Sequence, residues 1–228
     1  MKKYAVIVAG GSGSRMGTTT PKQFLELHGR PLLLYTVNTF LNAYRDLEII
    51  VVVPEGYVGI GQEIIASSND PDRLRLVTGG ERRFHSVKNG LQHIHEPSVV
   101  FVHDGVRCLV STDLIHRCYT TTLEYGNAIP AIQSVDSIRI ETAAGSKVVD
   151  RNKVKIIQTP QTFHSDLIKA AYDQEFEESF TDEASVVERL GMKIHLVPGE
   201  ATNIKITRPV DLLIAGQILE DRNLRHQL

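Results

Sequence analysis

Short runs of β-branched and other apolar residues, each halted by glycine, proline or an Asp-Gly pair and separated by helix-length stretches, restrict this chain more than any other feature. Residues 4–9 stop at Gly10-Gly11, 47–53 at Pro54, 74–77 just before Gly79-Gly80, and 99–103 at Asp104-Gly105. Runs of this length and composition read as parallel strands buried on both faces. Residues 32–44, 57–67, 86–94 and 113–125 carry helical spacing between them. Strands alternating with helices predict an α/β fold, a Rossmann-like and mostly parallel sheet with helices on both faces and right-handed crossovers. A further strand is expected at 127–130. The alternation then breaks: 137–141 and 147–150 flank a turn at Ala144-Gly145, a β-hairpin arm inserted at about 133–157. Helical patterns return at 165–176 and 181–190, a strand is expected at 193–197, and a helix closes the chain from 209 to about 223. With no internal repeat and no low-complexity linker, residues 1–228 read as a single domain carrying the arm.

Hydrophobic residues at 42% and charged residues at 23% belong to a globular chain, and a net charge of −2 gives no general pull toward nucleic acid or an anionic membrane. Basic groups that handle phosphate must therefore be concentrated locally. Two cysteines, Cys108 and Cys118, are too few for a disulfide framework, and the first strand pattern begins without a signal sequence, so a reducing cytoplasm is expected. No apolar run approaches the ~20 residues that span a bilayer.

In open α/β sheets ligands bind beyond the carboxyl ends of the strands. After the first strand stands Ala9-Gly10-Gly11-Ser12-Gly13-Ser14-Arg15-Met16-Gly17, where glycines let backbone N–H groups approach an anion. Arg15, and Lys22 after Pro21, add positive charge. A dinucleotide fingerprint fits poorly, because Met16 occupies the third glycine position and the second strand ends in Pro54 instead of a ribose-binding acid. A Walker loop fails for want of Gly-Lys-Ser/Thr. What remains is a loop suited to a polyphosphate, in a reaction that builds charge on a phosphoryl group; the plain alternative is a tight strand-to-helix turn.

His103-Asp104-Gly105-Val106-Arg107 ends an interior strand, and a carboxylate there suits Mg²⁺, which takes one or two carboxylates beside substrate phosphates. Asp104 capping a helix or pairing with Arg107 is the structural alternative, and a structural role is the reading for His103. Gly79-Gly80-Glu81-Arg82 with Ser86 is a second glycine turn opening a helix, suited to a base or ribose, or only a cap. Asn203-Ile204-Lys205-Ile206-Thr207 alternates like a strand and offers Lys205 as a point charge, or as an ordinary surface lysine. Thr181-Asp182-Glu183-Ala184-Ser185 reads first as a helix start capped by Thr181, and Asp150-Arg151 as a surface pair or a ligand group.

These motifs, together with Pro21-Lys22-Gln23-Phe24 and Gln158-Thr159-Pro160-Gln161, occur in an order that resembles the 2-C-methyl-D-erythritol 4-phosphate cytidylyltransferase family over nearly the whole chain. The resemblance implies a nucleotidyltransferase of glycosyltransferase-A-like fold that joins CTP to methylerythritol phosphate with Mg²⁺ and releases pyrophosphate. It implies that Ala9, Gly10, Gly11, Ser12, Gly13, Ser14, Arg15 and Lys22 hold the triphosphate, that Arg15, Lys22 and Lys205 serve the chemistry, and that Asp104 positions the metal. Gly79, Glu81, Ser86, Asp104 and Gly105 match nucleotide-side positions, and Arg107, Thr181 and Lys205 match acceptor-side positions. It also implies a homodimer whose arm brings Ser137 and Arg151 to the neighbouring site, with no nucleic-acid or membrane partner. Asp-Gly-Val-Arg-Cys at 104–108, Ser137 and Glu81 depart from common family patterns. The nearest rival activity is that of a ribitol 5-phosphate cytidylyltransferase; a non-catalytic nucleotide-binding domain and a dinucleotide-binding oxidoreductase are more distant.

Overall fold

The computed structural model describes residues 1–10 and 20–225. In chain order its main elements begin with β1 (Lys2–Val8), a two-stranded ribbon of β2 (Glu26–Leu27) and β3 (Arg30–Pro31), α1 (Leu32–Ala43), β4 (Leu47–Val53), α2 (Val58–Ala66) and β5 (Leu74–Thr78). There follow α3 (Arg83–Leu91), β6 (Ser98–Asp104), α4 (Thr112–Tyr125), β7 (Asn127–Gln133), β8 (Ile138–Thr142), β9 (Gly145–Val149), β10 (Lys155–Ile157), β11 (Gln161–His164), α5 (Ser165–Tyr172), α6 (Glu183–Glu188), β12 (Leu196–Pro198) and α7 (Pro209–Arg225).

The main sheet runs β10-β7-β11-β6-β1-β4-β5, with β12 beside β7. Strands β5, β4, β1 and β6 are parallel as expected, but β5 is the edge strand and has no fully buried residue, so burial on both faces holds for β4, β1 and β6 and not for β5. Along β1 the pleat sends Ala5 and Ile7 to a core with Phe40 of α1 and Leu114 of α4, and Val6 to a core with Val87 of α3 and Ile168 of α5. Helices thus cover both faces. A third cluster seats Ala215 of α7 against Leu32, Leu109 and Ile206. No helix among the described residues is long and apolar enough to cross a membrane.

Several local expectations change. Strand β11, Gln-Thr-Phe-His, lacks an apolar run, yet it inserts antiparallel between β6 and β7, leaving those two parallel to each other. The alternating segment 203–207 is no strand: Asn203 and Ile206 turn inward because their N–H groups bond singly to Glu200 O and Val106 O instead of to a ladder. Helix α3 starts at Arg83, three residues before the expected start, and β12 shrinks to 196–198. Helix α6 is capped by Asp182 and not Thr181, because the Asp182 carboxylate accepts from Ser185 N while Ser185 Oγ accepts from Asp182 N. The hairpin turns at Ala143-Ala144, with Thr142 paired to Gly145, whose φ of 123° suits glycine.

Candidate active site

Register fixes where the site forms. Val8 of β1 lies opposite Val52 of β4 and Asp104 of β6, so the chain leaving β1 runs directly beside the chain leaving β6. The strand ends are tied by backbone bonds: Ala9 N to Val52 O at 2.8 Å, Gly105 N to Val8 O at 2.9 Å and Gly79 N to Val53 O at 2.7 Å. Side chains are absent where these segments meet α3. A Cβ on Gly79 would stand 2.9 Å from Ser86 Oγ and one on Gly10 3.1 Å from it. Thus Gly10, Gly79 and Ser86 converge, and Gly80 N donates to Ser86 Oγ at 3.1 Å.

At the end of β6, whose seven residues are all buried, Asp104 meets three cations. Lys205 Nζ lies 2.9 Å and Arg107 Nε 3.6 Å from its Oδ2, and Arg83 Nε 3.2 Å from its Oδ1. Burial by itself would raise the Asp104 pKa, but Arg83, then Lys205 and Arg107, hold the carboxyl far below the usual range. Arg83 also forks onto Glu183, which is wholly buried, with Nη2 at 3.1 Å from Oε2 and Nη1 on Oε1. Burial opposes the Arg83 charge, yet Glu183 and Asp104 raise its pKa well above normal. The three cations outnumber the two carboxylates, leaving a positive excess where an anionic ligand would sit.

A hydrogen-bonded frame holds this cluster. Asp104 N donates to Thr159 Oγ1 at 3.1 Å, and the Thr159 hydroxyl lies 3.0 Å from His103 Nδ1, whose Nε2 lies 3.2 Å from Arg107 O. Hydroxyl donation to Nδ1 and an Nε2–H to the carbonyl satisfy every group with a neutral ring, and burial lowers the His103 pKa to about 3. The structural reading of His103 is thereby supported. Arg107 Nη1 donates to Asn203 O at 2.8 Å, and Asn203 Nδ2 donates to Thr159 O at 2.8 Å. Gln161 accepts from Ala184 N and donates to Asp182, joining the start of α6 to the same frame.

The fold therefore brings together Ala9, Gly10, Gly79, Ser86, Asp104, Gly105, Arg107 and Lys205, and reaches the start of α6, beside Thr181, through Arg83 and Gln161. Lys22 is buried in a short 3-10 turn, Lys22–Phe24, whose Gln23 side chain donates to Ala9 O. Glu81 is exposed. Gly11, Ser12, Gly13, Ser14 and Arg15 lie outside the described residues. Ser137 and Arg151 are exposed on the arm, where Arg151 Nη1 donates to Val135 O at 3.1 Å, and neither is among the groups that touch Asp104. Residues unassigned by sequence reasoning include Arg83 and Glu183. With the helix expected from 86, Arg83 lay outside it; only its observed place in the first turn of α3, where a cation opposes the dipole, calls for an acidic partner.

Among the described residues no three His, Cys, Asp or Glu side chains gather as a metal cage. Asp104 is the carboxylate at this strand end, with Oδ1 on Arg83 and Oδ2 on Lys205 and Arg107, so a Mg²⁺ would take Oδ2 in exchange for Lys205 and leave its remaining positions to phosphate oxygens and water.

The model of the 2-C-methyl-D-erythritol 4-phosphate cytidylyltransferase family matches residues 4–221. A protein of that name from Bacteroides thetaiotaomicron is 44% identical over 219 residues, covering 96% of this chain and all of the relative, and one from Porphyromonas gingivalis is 42% identical over 96% of this chain and 98% of its own length. The crystal structure of 4-diphosphocytidyl-2C-methyl-D-erythritol synthase from Anaerococcus prevotii superposes with a TM-score of 0.82 at 31% identity, covering 96% of each chain.

Proposed function

We propose, from the premise that this chain belongs to the 2-C-methyl-D-erythritol 4-phosphate cytidylyltransferase family, that its two substrates meet above the Asp104 cluster. The enzyme transfers the cytidylyl group of CTP to 2-C-methyl-D-erythritol 4-phosphate, giving 4-diphosphocytidyl-2-C-methyl-D-erythritol and pyrophosphate in isoprenoid precursor synthesis by the non-mevalonate route. A phosphate oxygen of the acceptor bonds to the α-phosphorus as the bond from that phosphorus to the β-phosphate oxygen breaks, and the electron pair leaves with pyrophosphate. The nucleophile is already ionised near neutral pH, so no side-chain base is required. The protein's task is to align two polyanions and to offset the charge that gathers in the transition state.

The observation that carries this reading is the pairing of Lys205 with Asp104 at the mouth formed by Gly10, Gly79 and Ser86. In it, the backbone from Ala9 to Ser14 with Arg15 and Lys22 holds the triphosphate, while Gly79, Glu81, Ser86 and Gly105 surround the cytidine. Asp104 would hold Mg²⁺, whose contribution when bound is to neutralise triphosphate charge. Lys205, whose side chain is 40% exposed, has room to turn from the carboxylate to an incoming phosphate, exchanging one anionic partner for another, while Arg83 and Arg107 stay on Asp104. Arg107, Thr181 and Lys205 face the acceptor.

Residues 1–228 form one catalytic domain in this reading, and the arm at about 133–157 reaches a second copy, presenting Ser137 and Arg151 to the acceptor phosphate there. Support comes from β8 and β9, which among the described residues pair only with each other and expose Ile140 at 57% and Val148 at 65%. A cytoplasmic location accords with Cys108 and Cys118, both buried as free thiols.

The test supplies CTP and Mg²⁺ with methylerythritol phosphate or ribitol 5-phosphate in parallel and follows pyrophosphate release. Turnover with methylerythritol phosphate is expected; preference for the ribitol ester would transfer the activity to the rival acceptor.

A further inference from the structure

Arg83 occupies the first turn of α3, where the helix dipole repels a cation, so its placement needs a compensating cause. That cause is a fork between two acids on different elements: Asp104 at the end of β6 and Glu183 at the start of α6. Glu183 is 0% exposed and also accepts from Tyr172 Oη at 3.1 Å. Stability is a weak reason to keep such a pair, because a buried ion pair seldom outperforms an apolar filling of similar volume. An apolar filling is at hand here, since Phe84 stacks on Tyr172 at 4.6 Å and on Phe180 at 5.7 Å beside the same charges.

The fork joins the three segments that cytidylyl transfer must align. Helix α3 carries Ser86 on the nucleotide side, β6 delivers Asp104, and α6 follows directly on Thr181, which lines one crevice with Arg83. We propose that Arg83, clamped by Glu183, is a positioning residue for cytidylyl transfer: it fixes the Asp104 carboxylate and sets the nucleotide side against the acceptor side. The inference rests on the cytidylyl-transfer reading and deepens it. Arg83 acts through Asp104, and Glu183 acts only through Arg83.

The experiment compares Arg83→Met, Arg83→Lys, Glu183→Gln and the Arg83→Met/Glu183→Gln double variant with wild type, at saturating and limiting CTP and methylerythritol phosphate. Thermal unfolding is recorded for each. The double variant leaves Glu183 without a buried charge and keeps the site testable where Arg83→Met alone does not fold. Misplacement of the reacting groups lowers kcat about 100-fold in Arg83→Met or the double variant, with both KM values within about threefold of wild type. Arg83→Lys recovers part of the loss. Because the two residues act in series, the double variant is no slower than Arg83→Met by more than about threefold. A folded double variant with wild-type kcat overturns the inference, as do losses that multiply or variants none of which folds, since the pair is then structural. Wild-type protein inactive with both acceptors instead overturns the cytidylyl-transfer reading and this inference with it.

Discussion

The Asp104 cluster and the hairpin arm are built on opposite principles. The cluster is charged and buried, and each acid is paired within the chain: Asp104 with three cations, Glu183 with Arg83 and Tyr172. The arm is apolar in part and exposed, with Val135 at 81% and Val148 at 65%, and its two strands contact each other without a core of their own. An isolated two-stranded hairpin is marginal in water, so the arm is left with apolar surface that only another surface can cover. Folding alone completes the first region, whereas it leaves apolar side chains of the second in solvent, the surface that the proposed arm exchange would cover.

The largest effect is expected from Lys205→Ala. Its side chain is 40% exposed and Asp104 keeps Arg83 and Arg107 without it, so melting should shift little, whereas loss of the charge proposed to meet the reacting phosphates should lower turnover about 100-fold or more. Unchanged turnover at saturating CTP and acceptor would remove Lys205 from the chemistry.

The arm is tested next by mixing. Arg151→Ala subunits combined with Lys205→Ala subunits form hybrids in which one site keeps both groups, if the arm serves the neighbour. Random exchange makes about half the dimers hybrid, so about a quarter of wild-type activity should return. Hybrids shown to form by mass spectrometry but without restored activity would confine each site to one chain.

The smallest expected effect concerns the frame. His103 is held neutral with a pKa of about 3, against about 6.5 in an unfolded chain. Between these values the unfolded state binds more protons, so this contribution to stability is complete above about pH 6.5 and is lost as pH falls toward 3. Urea midpoints measured from pH 7.5 down to 4.5 should therefore fall less steeply in His103→Gln than in wild type. Parallel slopes would remove His103 as their source.

Much of this was legible in residue order. Strands β1, β4 and β6 announced themselves because burial on both faces demands unbroken apolar runs, whereas the edge strand β5 carries Arg75 and has no fully buried residue; the glycine and Asp-Gly endings marked Gly10, Gly79 and Asp104. Strand β11 was hidden, since its buried Gln161 is held by hydrogen bonds with Ala184 N and Asp182, and buried polar residues such as Gln161 and Thr162 leave no apolar run to read. The 203–207 segment misled for the converse reason: its alternation reflects two residues tucked into a loop.

By itself the sequence determined the α/β alternation, the glycine-lined strand ends and the ions available there, because these follow from backbone conformation and burial close along the chain. Only the tertiary structure decided that Arg83 reaches Asp104 and Glu183, 21 and 100 residues away, and that Lys205 closes the cluster from near the other end of the chain. Electrostatic partnership depends on distance in space, and sheet register, which brings Val8 beside Asp104, is what converts separation along the chain into contact.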